Sequence, residues 1–436
     1  MNYLDEQAFA ILHRLPKLPF GQLLTPDSAK ATPDTPDSIA TLSATAPLFS
    51  YSKAQAFDLD HYRTALSSAR QDIDALTLND TVRQLYDEKL SELELRADII
   101  EAVKLGDDRA VTELSTKLYQ TPLDRSFPRT FFSRQSQKVL GQDRHATSLD
   151  EYSNEFNEHL ARARSNEVHR HSERVDARAF VAMAKERLHS YGITNWRVLL
   201  SNRPLVQTGH AKLSQAPILR VPKNLKISKA RARRLLTHEI DVHVLRGSNG
   251  AHSPLRLLER GLAGYTTTEE GLAIYLQHLD DKAAKKLLPG FWQAWTIALL
   301  NESGWSHAYA TLYQAQLELG RALNANSKNQ LEDAELEKRA QEAVRSLLLR
   351  TNRGITKPGA AGLFFARDQI YRTGYEMIKN HVETFGIKTL AELFVGKIAL
   401  SHLAAIKQLE LKPHRIPSAL RATLSVDEGS LKPVNG

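Results

Sequence analysis

The stretch THEIDVHV, Thr237–Val244, places two histidines five positions apart on either side of a glutamate. In the common zinc-helix pattern H-E-x-x-H the two histidines lie about 40° apart around the helix, so both rings reach one ion. On a regular α-helix His238 and His243 would instead lie roughly 140° apart. If they bind one ion, the spacing predicts a distorted turn in this stretch, either a π-bulge or an unwinding ahead of Gly247. The alternative is a pair of histidines packed in the core or on the surface.

Cysteine is absent from the 436 residues. This excludes disulfides, thiolate metal sites and cysteine nucleophiles, and it fits a reducing, cytoplasmic location. Any bound metal must therefore be held by His, Asp or Glu. The first residues, MNYLDEQAFAILHRLPKLPF, lack the basic start of a secretory signal. No apolar run approaches the roughly 18 residues that span a bilayer, so no membrane association is predicted.

A catalytic zinc ion takes three protein ligands and leaves the fourth position open. The carboxylates best placed to join the histidines are Glu269 and Glu270, in the predicted helix TTTEEGLAIYLQHL. Glu239 would then project toward a water molecule and accept its proton. Glu270 also has a purely structural interpretation, because Thr267 and Glu270 have the spacing of a helix capping box.

The charge balance is modest, with 58 basic and 50 acidic residues and a formal net charge of +8. The basic residues are scattered and no nucleic-acid-binding motif accompanies them, so no nucleic-acid partner is predicted. The composition is that of an ordinary globular protein. It does not predict an oligomeric state.

Helical periodicity dominates the chain, and the predicted fold class is α+β, mostly α-helical, with a small sheet. WRVLLSN and APILRVP are the predicted strands, and Pro at both ends of the second suggests an edge strand. Ser228 is predicted to cap the following helix, which should end at Gly247. A short amphipathic helix is expected in LDEQAFAILHRL.

The predicted regions are an N-terminal segment with a flexible linker (1–50), a helical region with its own core (51–190), a core (191–411) and a loose tail (412–436).

Two motifs together resemble a known family. HEIDVHVLRGSNG followed by GYTTTEEGLAIY is similar to the Q-E-G-L-A-motif proteins, described as modulators of flavohaemoglobin expression, which are related to the microtubule-associated tyrosine carboxypeptidases. AVTELSTKLYQTP and RGITKPGAAGLFFARDQIYRTG resemble two further segments of that family. The matches extend over most of the chain.

The resemblance implies a zinc metallopeptidase core of the type whose third ligand is a glutamate on a second helix, within residues 191–411. It implies Zn²⁺ ligands at His238, His243 and Glu270 and a catalytic role for Glu239. Position 269 is Glu, where the bacterial members have Gln. The family's F-T-K-D segment reads FARD here, so that Arg367 replaces a lysine.

The implied activity is that of a carboxypeptidase acting on a peptide or protein C-terminus, with tyrosine as the released residue in the animal members. A free terminal carboxylate is best bound by arginine, and Arg246, Arg353 and Arg367 are the candidates. Tyr371 is a candidate donor to the oxyanion. The strand APILRVP is expected to hold extended substrate by main-chain hydrogen bonds. The alternatives are an amidase or endopeptidase of other specificity, and a non-catalytic regulatory protein that keeps the fold.

Overall fold

The structure, a computed structural model, describes most of the chain. The described residues are 3–27, 46–119, 148–165, 173–203, 205–210, 217–279, 289–327 and 330–421. Most of the predicted linker and the end of the predicted tail lie outside them.

The described residues form a mostly helical fold with two small sheets, which confirms the predicted α+β class. The α-helices are α1 Glu6–Arg14, α2 Phe20–Leu23, α3 Ser52–Gln55, α4 Leu59–Asp74, α5 Asp80–Leu105, α6 Asp108–Tyr119, α7 Leu149–Arg164, α8 Ala177–Ser190, α9 Lys229–Leu236, α10 Leu245–Ala251, α11 Leu257–Arg260, α12 Tyr265–Leu279, α13 Phe291–Ala325, α14 Asp333–Thr351, α15 Ile370–Phe385 and α16 Leu403–Gln408. A π-helix, Thr237–Val244, joins α9 to α10, and 3-10 helices occur at Ala366–Gln369, Ile387–Val395 and Leu400–His402. The strands are β1 Arg174–Asp176, β2 Arg197–Ser201, β3 Gln207–His210, β4 Pro217–Pro222 and β5 Lys226–Ser228.

One cluster of buried apolar side chains extends from Ala8 to Leu420. It contains Leu90 of α5 as well as Leu258 of α11. The expectation that the helical region has its own core is therefore wrong, because its apolar faces pack against the later helices. The boundaries proposed between the regions stay predictions.

The expected helix at the N-terminus is confirmed as α1, and it is anchored at its start by Asp5. The buried Asp5 carboxylate accepts hydrogen bonds from the Tyr86 hydroxyl at 2.8 Å and from the backbone N–H groups of Arg256 and Leu257 at 2.8 and 2.9 Å. A buried carboxylate needs such partners to offset the loss of its hydration. The N-terminal segment is thus part of the folded structure.

The first residues of the predicted tail are also packed. Leu420 is 2% exposed, and the Arg415 backbone N–H donates to the Asn249 side-chain oxygen at 3.1 Å. The Ser418 backbone N–H donates to the Tyr191 hydroxyl at 3.3 Å. The expectation of a loose tail is therefore wrong for residues 412–421.

The three-stranded sheet has the order β2-β4-β3, with β4 parallel to β2 and antiparallel to β3. The predicted strands β2 and β4 are confirmed, but β4 lies in the centre and is not an edge strand. Its prolines, Pro217 and Pro222, stand at its two ends, where they leave the ladder between them intact. The unpredicted strand β3 supplies the second partner, and its short polar sequence QTGH carries little strand signal. β1 and β5 form a separate antiparallel pair.

The helix that carries the two histidines begins as predicted, with the Ser228 hydroxyl accepting the Arg231 backbone N–H at 3.2 Å. It does not end at Gly247 but continues as α10 to Ala251. Gly250 lies inside this helix, and a Cβ there would stand 2.4 Å from the Leu258 carbonyl oxygen. This glycine permits close packing against α11 and does not end the helix.

No single described helix is both long and apolar enough to cross a membrane. The segments Ile387–Val395 and Leu400–Gln408 pass such a test only when taken together, and they are bent by 82°.

Two glycines allow α12 and α15 to cross with their backbones in contact. A Cβ on Gly271 would lie 2.2 Å from the backbone of Gly374, and a Cβ on Gly374 would lie 2.2 Å from the Thr267 carbonyl oxygen. Both distances are far below any normal contact. The crossing therefore fixes how closely the first turns of α12 approach α15.

We expect Gly271→Ala to destabilise the fold by about 1–3 kcal/mol, because the added methyl group overpacks a backbone contact. Gly320→Ala in α13 is the matched control, since its Cβ would meet nothing closer than 4.0 Å. In a helix interior that change should stabilise by about 0.5–1 kcal/mol. Chemical denaturation of both variants measures the two effects, and a Gly271→Ala protein as stable as the parent would contradict the close crossing.

Candidate metal centre

The π-helix Thr237–Val244 brings His238 and His243 to the same side of the helix. Their ring centroids are 4.7 Å apart and their planes meet at 77°. Because a π-helix closes its hydrogen bonds from i to i+5, residues five positions apart come into register, as residues four apart do in an α-helix. The predicted distortion is confirmed, in the form of a π-helix and not of an unwound end.

Glu270, in the second turn of α12, completes a group of three candidate ligands. Its Oε2 lies 3.3 Å from His238 Nε2, and its Oε1 lies 3.9 Å from His243 Nε2. One ligand atom from each of the three residues lies within 4.8 Å of the other two. Ligands held about 2.0–2.1 Å from a tetrahedral zinc ion stand about 3.4 Å apart, and the 3.3 and 3.9 Å spacings are of this order.

Glu269 faces the other side of His243. Its Oε2 lies 3.5 Å from His243 Nδ1, and its Oε1 lies 3.6 Å from Arg246 Nη1. Of the two carboxylates that the sequence offered as a third ligand, Glu270 joins the group and Glu269 lies beside it. The capping-box interpretation of Glu270 is wrong, because α12 already begins at Tyr265 and Thr267 lies inside it.

Glu239 is buried next to the two histidines, with 8% of its surface exposed. Burial raises the pKa of its carboxyl above the usual value, while the neighbouring histidines and a hydrogen bond from the Thr208 backbone N–H oppose the rise. Thr208 belongs to β3, so the unpredicted strand orients this side chain. A carboxylate with a raised pKa is a better proton acceptor than an ordinary one.

The carboxylates around His243 favour a positive charge at this position. Burial alone would lower the pKa of this imidazole, but the carboxylates of Glu269 and Glu270 outweigh it and raise the pKa to about 9. Burial opposes ionisation of Glu269, yet the charges of His243, Lys397 and Arg246 lower its pKa to about 2. The carboxylates that attract the imidazole proton would also attract a divalent cation, and the cation would compete with that proton for the ring.

A cavity of about 570 Å³ lies against this cluster, with His243, Glu269 and Glu270 in its wall. Residues 17–22, in the connection after α1 and the start of α2, form another part of the wall. The basic residues of the lining are Lys17, Arg96, Arg353, Arg367 and Lys397. The space beside the candidate ligands is therefore suited to an anionic group.

Arg353 and Arg367, two of the predicted carboxylate-binding residues, both line this cavity. Burial and the neighbouring Arg367 charge both lower the pKa of Arg353. Among the described residues, no carboxylate lies within 4 Å of either guanidinium. Two adjacent cations in the cavity wall favour the binding of an anionic ligand, although Asp368 attracts both from a greater distance.

Arg246 has a different environment and does not line the cavity. It is fully buried, and its Nε donates to the carbonyl oxygens of Leu393 and Gly396 at 3.0 Å. Its Nη2 donates to the Ile398 carbonyl oxygen at 2.5 Å. These bonds hold the guanidinium against the backbone, outside the lining of the cavity.

Tyr371 lies close enough to the cluster for the Glu270 charge to help burial raise the pKa of its phenol. Its hydroxyl accepts a long hydrogen bond from Arg350 Nη2 at 3.5 Å. Arg350 is itself paired with Asp368 at 2.8 Å. The phenol therefore keeps its proton.

Sequence reasoning missed three residues that shape the cavity: Arg96 of α5, Lys397 and Thr208. Arg96 forms an i,i+4 ion pair with Glu92 at 2.7 Å, which in sequence looks like an ordinary surface pair. No local motif marks Lys397 or Thr208. Only the tertiary packing brings them to the site.

A mostly helical α+β fold with a histidine–histidine–glutamate group beside a basic cavity defines a protein with a candidate catalytic metal centre. A family model described as microtubule-associated tyrosine carboxypeptidase matches residues 39–286, which is more than half of the chain. The chain therefore belongs to this family. The matched span contains His238, Glu239, His243 and Glu270, whereas Arg353 and Arg367 lie beyond it.

Individual relatives are similar over a shorter span. The chain is 30% identical to microtubule-associated tyrosine carboxypeptidase 1 of Rattus norvegicus over 187 residues, which is 42% of this chain and 33% of the relative. It is 31% identical to the Homo sapiens protein of the same name over 186 residues, again 42% and 33% of the two chains. The chain thus matches about a third of the length of these curated relatives.

Proposed function

We propose that this chain is a zinc-dependent carboxypeptidase that releases the C-terminal residue of a peptide or protein. The observation that carries the proposal is the convergence of His238, His243 and Glu270 within 4.8 Å, beside the buried Glu239. Family membership supports a peptidase of this kind. Tyrosine, named in the family's description, is the first terminal residue to test.

The donor set fits zinc, since two imidazoles and one carboxylate with an open fourth position are typical of catalytic zinc in hydrolases. His238, His243 and Glu270 would hold the ion. When bound there, zinc would polarise the scissile carbonyl and lower the pKa of a water molecule. The acidic surroundings of His243 favour the cation electrostatically.

Glu239 would act as the general base. Its carboxylate would accept the proton of the attacking water and pass it to the leaving amino group. The Thr208 backbone N–H fixes its orientation, and burial keeps its pKa raised. Tyr371, which keeps its proton and lies near Glu270, would donate a hydrogen bond to the oxyanion.

Arg353 and Arg367 would bind the terminal carboxylate that distinguishes a carboxypeptidase substrate. Arginine binds a carboxylate through two parallel hydrogen bonds, and both guanidinium groups line the cavity without a carboxylate partner within 4 Å among the described residues. Arg246, held by backbone carbonyl groups, is not part of this role.

We expect purified protein to bind one zinc ion and His238→Ala to lose it, because a site with two remaining ligands binds zinc weakly. His252→Ala is the control, since this exposed histidine stacks on His414 and is not one of the three converging residues. Elemental analysis and competition with a chromophoric chelator measure the zinc. Equal zinc content in His238→Ala and the parent would contradict the ligand assignment.

We expect the parent protein to shorten peptides of a degenerate library by single C-terminal residues, and Glu239→Gln to be about 10²–10⁴-fold slower because it lacks the base. Mass spectrometry of the products, with and without a chelator, is the measurement. Glu239→Gln should still bind zinc, which separates loss of chemistry from loss of the site. Hydrolysis that survives in Glu239→Gln, or internal cleavage, would exclude the proposed mechanism, and no hydrolysis at all would favour a non-catalytic role.

We expect Arg367→Ala to raise KM for peptides with a free C-terminus and to leave zinc binding unchanged, because the change removes a carboxylate contact but no ligand. The parent should prefer free over amidated peptides, and the variant should lose most of that preference. Arg178→Ala, at an exposed position of α8, controls for general loss of positive charge. A parent that cleaves both peptide types equally is an amidase or endopeptidase.

A further inference from the structure

A chain of polar contacts connects the backbone of residues 393–398 to the candidate metal centre. It passes from the carbonyl oxygens of that segment to Arg246, from Arg246 to Glu269 and from Glu269 to His243. We infer that Glu269 is a positioning residue that orients the ring of His243 for cation binding, and that Arg246 holds Glu269 in place. The inference rests on the proposed metal ligation by His243, but not on peptide hydrolysis.

The first link of this chain is rigid. The Arg246 side chain is fully buried, and its three hydrogen bonds to the carbonyl oxygens of Leu393, Gly396 and Ile398 fix the plane of the guanidinium. These bonds use Nε and Nη2. The remaining Nη1 is buried without a hydrogen-bond partner and faces Glu269 Oε1 at 3.6 Å.

The second link places Glu269 on one specific ring nitrogen. Glu269 Oε2 lies 3.5 Å from His243 Nδ1, whereas Glu270 Oε1 lies 3.9 Å from His243 Nε2. The two nitrogens of an imidazole point in widely different directions, so the two carboxylates serve different functions. Nε2 faces the candidate cation position, and Nδ1 faces Glu269.

The different directions of the two carboxylates explain why Glu269 is not a candidate ligand, although it directly precedes the candidate ligand Glu270. It is absent from the group of converging ligand atoms, and its second oxygen is directed to a cation that is already part of the protein. A carboxylate that accepts the free N–H of a ligating histidine fixes its tautomer and strengthens its basicity. Glu269 is in the position for that function, with 6% of its surface exposed.

The test is zinc affinity in Glu269→Gln, measured by competition with a chelator. Glutamine keeps the shape of the side chain and a carbonyl acceptor but removes the charge, so we expect zinc to dissociate about 10- to 100-fold more readily. The visible spectrum of the Co²⁺-loaded protein should keep its shape, because the ligands are unchanged. Unchanged zinc affinity would overturn the inference, as would a spectrum that shows the loss of a ligand.

Asp241→Asn is the matched control. Asp241 is a buried carboxylate on the same π-helix, paired with Arg187 at 2.7 Å and with the Tyr191 hydroxyl at 3.1 Å. The substitution Asp241→Asn should lower the stability of the protein but leave its zinc affinity almost unchanged. If Asp241→Asn weakens zinc binding as much as Glu269→Gln, the effect belongs to the loss of any buried ion pair and the inference fails.

A measurement on the parent protein covers the case in which Glu269→Gln does not fold. In the zinc-loaded, ¹⁵N-histidine-labelled protein, the His243 ring should carry its proton on Nδ1 and the metal on Nε2, with the signal assigned from a His243→Gln sample. Metal on Nδ1 would overturn the inference. Because no peptide is used, a protein that binds zinc in this way but hydrolyses nothing would refute the proposed activity and leave the positioning function standing.

Discussion

The candidate site depends on the extra residue that the π-helix Thr237–Val244 accommodates. With regular α-helical geometry His238 and His243 would point in directions roughly 140° apart, and no single ion could reach both. The wider turn brings the two rings to a centroid distance of 4.7 Å. π-helical turns are rare and occur often at functional sites, which agrees with a functional use of this turn.

The second helix has to approach closely enough for Glu270 to meet these rings. Gly271, the residue after Glu270, helps to set the position of α12. Because it has no side chain, it lets α12 rest directly on the backbone of α15 at Gly374. One face of α12 is thus set by backbone contact, and Glu270, one position earlier and about 100° around the helix, is presented to the histidines. The packing of two glycines and the position of one carboxylate are consequences of the same crossing.

The charged side chains around the site form two groups, one acidic and one basic. The carboxylates of Glu239, Glu269 and Glu270 form an acidic centre, and Arg246 holds one of them from behind. Basic side chains line the cavity in front of that centre. An acidic centre favours a cation, and a basic cavity next to it favours an anionic group of a substrate, so the two can be occupied at the same time without opposing each other.

The sequence by itself determined what depends on local spacing: the α+β class, the distorted turn, and the candidate ligands His238 and His243 with a glutamate pair on a second helix, whose types and order are visible in two short motifs. It left open the choice between Glu269 and Glu270, because neighbouring positions on a helix differ only in direction. The tertiary structure placed the carboxylate of Glu270 with the two histidines, made β4 a central strand, fixed Arg246 to the backbone and brought Arg96 and Lys397 to the cavity. The physical reason is that periodicity and ligand spacing are properties of residues close together in the chain. The burial of a side chain, its partners and the direction in which it points are fixed only when distant segments pack into one core.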